Sequence, residues 1–166
     1  MQMKYERMGP EHQKSVMGIL NYYIETMTGA FPDAPLPESF FARMMENTHG
    51  YPAYVALNPE TLEVVGFCTL RPYSPLSTFK ETAVISYFIA PEYVGQNIGG
   101  QFLDRLSADA KQMGIKHLIA EISSENERSL QFHARHGFTN CGALKNIGYK
   151  LGRSFDVVLV QKDLRD

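Results

Sequence analysis

The chain has 166 residues, 44% of them hydrophobic and 20% charged, with a formal net charge of −2. That length implies one domain, spanning 1–166, with a real buried core, and a near-neutral chain without a basic tail or stripe argues against nucleic acid or a membrane surface as its main partner. No apolar stretch is long enough to span a bilayer, and Met1–Arg7 has no apolar signal core, so a cytoplasmic protein is expected. Cys68 and Cys141 both lie in apolar, strand-like stretches and read as buried thiols of a reducing compartment. No Cys-x-x-Cys or His-Glu-x-x-His spacing occurs, so no metal is expected.

Pro10-Glu11 opens a helix whose apolar positions Val16, Ile19, Leu20, Tyr23, Ile24 and Met27 recur at helical spacing. Residues 29–37 form a proline-rich loop. A second helix starts near Pro37-Glu38-Ser39 and carries Phe40, Phe41, Met44 and Met45. Pro52–Leu57 and Val64–Leu70 read as strands joined by the turn Asn58-Pro59-Glu60-Thr61, an antiparallel hairpin. A strand over Ile85–Ala90 follows. Next comes a helix with Ile98, Phe102, Leu103, Leu106, Ala110 and Met113 on one face, stopped at Gly114. His117–Ser123 reads as a short strand, Asn126–His136 as a helix, and Thr139–Leu144 and Phe155–Gln161 as two closing strands. Helices alternating with a mixed sheet make the fold α/β or α+β, one sheet flanked by helices.

The chemistry concentrates between Ile85 and Phe138. The glycine-rich turn Val94-Gly95-Gln96-Asn97-Ile98-Gly99-Gly100 separates a strand from a helix. It is either a plain tight turn or a cradle whose free backbone N–H groups and helix dipole receive a pyrophosphate. Glu121 lies within an apolar strand run, where burial would raise its pKa toward that of a useful base; the alternative is a sheet-face carboxylate paired with a cation. A nucleotide-binding α/β protein would need an acidic ribose ligand about 20 residues after the turn. Glu121 falls close to that spacing, but the elements between fit that reading poorly.

The order strand, glycine turn, helix, strand, Asn126-x-x-Ser129-x-x-x-His133-x-x-x-Gly137-Phe138 resembles the GNAT superfamily of acetyl-CoA-dependent N-acetyltransferases. Asn21-Tyr22-Tyr23-Ile24-Glu25-Thr26, Arg71-Pro72-Tyr73 and Gly142-x-Leu144-x-x-x-Gly148-Tyr149-Lys150-x-Gly152-Arg153-x-x-Asp156-Val157 extend the resemblance to its phosphinothricin and methionine sulfone acetyltransferase branch. The resemblance implies acetyl-CoA as cosubstrate, a small amino acid-like amine as acceptor, and a homodimer. It implies that Tyr87, Phe88 and Ile89 offer backbone hydrogen bonds to the pantetheine arm and polarise the thioester carbonyl. The pyrophosphate would rest on Gly95, Gln96, Asn97, Ile98, Gly99 and Gly100, with Asn126 touching the cofactor arm. His133 would donate a proton to the departing thiolate, or merely pack. Arg71, Pro72 and Tyr73, with Val84, Ile85 and Ser86 of the next strand, would face the acceptor, Arg71 clamping an anionic group.

The chain departs from that pattern at three places. Val94 stands where the family has a polar or cationic residue, which weakens the hold on phosphates. Asn97 replaces a glycine, and Asn tolerates a left-handed backbone better than most residues, so the turn can survive. Val84 stands where the branch has a glutamate taken as general base. Glu81, about 10 Å away along the strand, and Glu121 on the neighbouring strand are the substitute carboxylates, solvent is the favoured route for the proton, and a binding protein that has lost catalysis is the competing expectation.

Overall fold

The computed structural model describes residues 1–165. Seven strands form one sheet in the order β1-β2-β3-β4-β5-β7-β6: β1 (Lys4–Arg7), β2 (Ala53–Leu57), β3 (Val64–Pro72), β4 (Thr82–Ile89), β5 (His117–Ser123), β6 (Thr139–Lys150) and β7 (Arg153–Asp163). Every neighbouring pair is antiparallel except β4–β5, which is parallel. That pair needs a crossover, which is α3 (Ile98–Gln112). The remaining helices are α1 (Gln13–Thr26), α2 (Phe40–Asn47) and α4 (Glu127–Arg135).

The two faces of the sheet are covered unequally. On one, α3 sets Phe102, Leu103 and Leu106 against Cys68, Leu70, Ile85, Leu118, Ala120 and Ile122. Each of those three helix side chains is fully or almost fully buried and contributes roughly 1.5–3 kcal/mol. On the other, Val16, Leu20 and Ile24 of α1 and Phe41 of α2 pack over Val55, Phe67 and Phe88 of β2, β3 and β4. Farther out on that face, Glu121, Leu144, Ile147 and Tyr149 are exposed. The sheet therefore has a half-covered side, and its edge runs along the β4–β5 junction. No helix among the described residues is long and apolar enough to cross a membrane.

The elements expected from sequence are present, with four differences. Pro10–His12 is a 3-10 turn and α1 proper begins at Gln13, while α2 begins only at Phe40. The edge strand β1 was not anticipated, because its charged sequence KYER carries no apolar alternation. β6 runs on to Lys150, past two register shifts against β7 that break its period. Cys141, expected buried, is exposed on the outermost strand, whereas Cys68 is fully buried.

Candidate active site

β4 and β5 pair only from Thr82–His117 to Val84–Ile119 and then diverge. The register with β3 fixes what β4 offers to the gap. The bond from Ala90 N–H to Val65 C=O makes the even residues of β4 those that bond to β3, since Phe88 pairs with Phe67 and Ser86 with Thr69. The odd residues turn their backbone the other way, as Glu81 shows by accepting from the N–H groups of Lys116 and His117. Beyond the last β4–β5 pair, Tyr87 and Ile89 therefore point backbone groups into the gap. The Ile89 carbonyl accepts the Tyr23 hydroxyl of α1 at 2.5 Å. Of the three residues expected to serve an acyl-CoA arm with their backbone, Phe88 does not: its backbone is spent on β3.

The gap leads to the start of α3. Gly95 has φ +92° and Asn97 has φ 62°, ψ 22°, so Asn97 takes the left-handed role expected of it and caps the helix. The first helical bond runs from Gln101 N–H to Asn97 C=O at 3.1 Å, which leaves the amides of Ile98, Gly99 and Gly100 without intrahelical acceptors. The first turn carries no acidic side chain. A Cβ on Gly99 would lie 3.4 Å from the Phe132 ring, and one on Gly100 would lie 2.3 Å from Asn97 Oδ1. The turn is thus a bare, positively poled concavity, and it suits a pyrophosphate. Asn126 caps α4, its side chain accepting from Ser129 N–H at 3.2 Å.

His133 is 2% exposed. Its Nδ1 lies 2.7 Å from the Ser129 carbonyl and so carries the hydrogen, while Nε2 accepts the Tyr87 hydroxyl. Burial pushes its pKa down to about 4, with the Ser129 carbonyl opposing. Burial likewise holds the Tyr87 phenol well above its ordinary range. Of the two expectations for His133, the geometry favours packing over protonation of a leaving thiolate: at neutral pH the ring is uncharged and both nitrogens are committed. Its partner Tyr87 was named for its backbone alone, because the pairing of the two side chains depends on tertiary structure.

On the half-covered face, strand register aligns Arg71, Val84 and Ile119 in one row. The Arg71 side chain forms no hydrogen bond or ion pair among the described residues, and Ser86 shares its face through Thr69. Two expected acceptor residues point away: Ile85 is 3% exposed in the core under α3, and Pro72 pairs with Ala83 on that same opposite face. Glu121 is also corrected. It is exposed, and its side chain has no ion-pair partner among the described residues, so neither the buried base nor the paired carboxylate describes it.

Glu121 lines an open trough of about 530 Å³. Phe31, Tyr73, Ile119, Phe155 and Leu159 form much of its wall. One end is built by the loop after α1. The buried Lys150 ammonium donates to the carbonyls of Met27 at 2.8 Å and Ala30 at 2.5 Å. Thr28 bonds to Ser123 at 2.7 Å and to Glu125 at 2.9 Å, and Glu125 pairs with Arg153 at 2.7 Å. Phe31 then stacks on Phe155 at 6.1 Å. The same loop reaches the cofactor side, where a Cβ on Gly29 would lie 3.1 Å from Asn126 Nδ2. Sequence reading gave Lys150 and Phe31 no role; a lysine inside the Gly148-Tyr149-Lys150 motif was the available signal.

The model of the acetyltransferase (GNAT) family matches residues 16–138. The chain is 32% identical over 155 residues to a phosphinothricin N-acetyltransferase of Alcaligenes faecalis, covering 90% of this chain and 77% of the relative. It is 28% identical over 154 residues to an L-methionine sulfoximine/L-methionine sulfone acetyltransferase of Pseudomonas paraeruginosa, covering 90% and 87%. An N-acetyltransferase from Staphylococcus aureus Mu50 superposes with a TM-score of 0.92 at 26% identity, over 99% of this chain and all of that one. A phosphinothricin acetyltransferase from Sinorhizobium meliloti, solved in complex with AcCoA, shares the fold with a TM-score of 0.92 at 24% identity, over 98% and 89%.

Proposed function

This chain belongs to the acetyltransferase (GNAT) family, and on that footing we propose that it moves the acetyl group of acetyl-CoA onto the amine of a small amino acid-like acceptor. The single observation that carries the reading is the continuity of three features. The diverging β4–β5 pair leads to the bare first turn of α3 on one side and to the trough with Glu121 on the other.

Acetyl-CoA supplies an acyl thioester open to attack by a neutral amine. The chain's own residues then have separate tasks. The amides of Ile98, Gly99 and Gly100 and the α3 dipole hold the pyrophosphate. Backbone N–H groups of Tyr87 and Ile89 face the gap as donors for a carbonyl oxygen. Asn126 stands beside the route between the two. Glu121, exposed on the acceptor side, receives the ammonium and passes its proton to water. Arg71 is available for an anionic group. The thiolate takes its proton from water, since neutral His133 keeps its one hydrogen on Nδ1, against the Ser129 carbonyl. Isothermal titration with acetyl-CoA and a thiol-release assay over an amine panel test the reading. Acetyl-CoA at 100 times its dissociation constant should stabilise the fold by about 2.7 kcal/mol, and absence of binding refutes it.

The second reading is an acyl-CoA-binding protein with impaired catalysis, favoured by Val84 at the branch's base position and by the neutral His133. Binding without thiol release for any amine would select it. We also propose a homodimer through β6, the outermost strand, whose exposed Leu144, Ile147 and Tyr149 also form the trough's outer wall, so that a second copy would close the trough's side rather than fill it. Sedimentation at equilibrium checks that.

A further inference from the structure

We infer that the preferred acceptor is a primary amine with an apolar body of aromatic size, seated in the trough beside β5 with its ammonium on Glu121. The inference rests on the acetyl-transfer reading and specifies its acceptor. Three observations carry it. First, the trough's volume of about 530 Å³ exceeds what a short polar side chain fills, and Phe31, Tyr73, Ile119, Phe155 and Leu159 line it. Such walls reward the removal of apolar surface from water more than they reward an anionic side chain.

Second, the trough's charges are arranged for a cation. Its two charged lining residues are Glu121 and Lys150. The Lys150 ammonium is buried and committed to the Met27 and Ala30 carbonyls, while the Glu121 side chain has no ion-pair partner among the described residues. A phosphinate in the trough would meet a carboxylate of like sign, and a sulfone would face mainly apolar and aromatic side chains. Third, the carboxylate stands where the acyl group must arrive. β4–β5 pairing ends at Val84–Ile119, and Glu121 is the next residue on that face of β5, about 7 Å farther along the strand. An ammonium held there lies at the mouth of the gap, with the body pointing back along Leu159 and Phe155.

The test measures kcat/KM by thiol release for 2-phenylethylamine, phenylalanine, leucine, methionine sulfone and phosphinothricin. Isothermal titration of 2-phenylethylamine into the enzyme without acetyl-CoA gives a second readout. The expected result is that the aromatic acceptors exceed methionine sulfone and phosphinothricin by at least tenfold. Glu121→Gln should weaken 2-phenylethylamine binding by tenfold or more. Leu159→Ala should weaken it severalfold and narrow the preference for 2-phenylethylamine over methionine sulfone. A preference for phosphinothricin or methionine sulfone, or 2-phenylethylamine binding unchanged in Glu121→Gln, overturns the inference while leaving acetyl transfer intact. Loss of homodimer in Leu159→Ala with no change in acceptor preference also overturns it, by making the trough an interface between copies. Failure of acetyl-CoA to bind at all is a different outcome and defeats the acetyl-transfer reading on which the inference stands.

Discussion

Replacing His133 by glutamine separates a structural histidine from a proton donor. In the folded protein burial holds the His133 pKa down at about 4, against an ordinary value of 6.5. A group whose folded pKa is depressed contributes stability that is fully present above the unfolded pKa and is lost as pH falls toward the folded one. The window is therefore pH 6.5 down to about 4. Each unit of difference is worth about 1.4 kcal/mol, so His133 alone should remove roughly 3 kcal/mol of stability across that window. His133→Gln cannot titrate, and its amide oxygen can still accept the Tyr87 hydroxyl. It should cost about 1–3 kcal/mol at pH 7, where one tailored hydrogen-bond set is replaced by another. Urea unfolding of both proteins at half-unit steps from pH 7.5 to 4, read by circular dichroism, gives the difference curve and cancels the carboxylates they share. That curve should fall through the window, and the two proteins should have similar stability by its lower end. A flat difference curve would refute the depressed pKa. A kcat that tracks an ionisation near neutrality in the wild type and loses it in His133→Gln would restore the histidine as an acid.

Lys150→Met removes a charged donor from the carbonyls of Met27 and Ala30 and should cost about 2 kcal/mol net. Amide exchange should quicken in residues 27–31 and the acceptor KM should rise, with acetyl-CoA affinity unchanged; unchanged exchange there would show that Lys150 does not hold the loop. Gly99→Asp puts a carboxylate at the bare first turn of α3 and crowds Phe132, 3.4 Å from the new Cβ. Calorimetry should detect no acetyl-CoA binding to a folded variant, and retained affinity would move the pyrophosphate elsewhere. Val84→Glu places a carboxylate directly across from Arg71 on β3, at a site now 5% exposed. It should fold, because that guanidinium is available, and kcat/KM near pH 7 should not rise, because a carboxylate held by Arg71 is a poor proton acceptor; a rise would refute that pairing. Loss of activity with the fold intact would show that the acceptor uses Arg71.

The parts legible in the sequence were those set by local period. α3 announced itself through Ile98, Phe102, Leu103 and Leu106 at helical spacing, and all four are buried. Asn97 could be read as a left-handed residue because few others tolerate that backbone, and it has φ 62°. The illegible parts depend on register. The run Ala83–Ala90 is largely apolar on both faces, so sequence could not tell that Ile85 enters the core while Val84 and Ser86 face the other way. Cys141 reads as buried from its neighbours, but a register shift on an edge strand carries it outward. His133 reads as a proton donor or a packing residue until Tyr87 is placed against it, and the hold of Lys150 on the loop after α1 exists only in the folded chain.

The same register argument explains how the chain can lack the branch's glutamate and remain built for amine chemistry. Position 84 and position 121 lie on one face of the sheet, through the row Arg71, Val84, Ile119 and then the next outward residue of β5. The carboxylate has moved one strand across, from inside the paired region to just beyond it. A glutamate at 84 would stand across from Arg71 and be held by it, whereas Glu121 lines a trough whose one cationic lining residue, Lys150, is committed to the Met27 and Ala30 carbonyls. A carboxylate clamped by an arginine is a poor proton acceptor, and one without a partner is free to bind the incoming ammonium. On the proposed reading, the displacement would also turn the approach of the amine away from Arg71 and toward Leu159 and Phe155. The acceptor would then be held by its apolar body, and an anionic group would no longer be needed for binding.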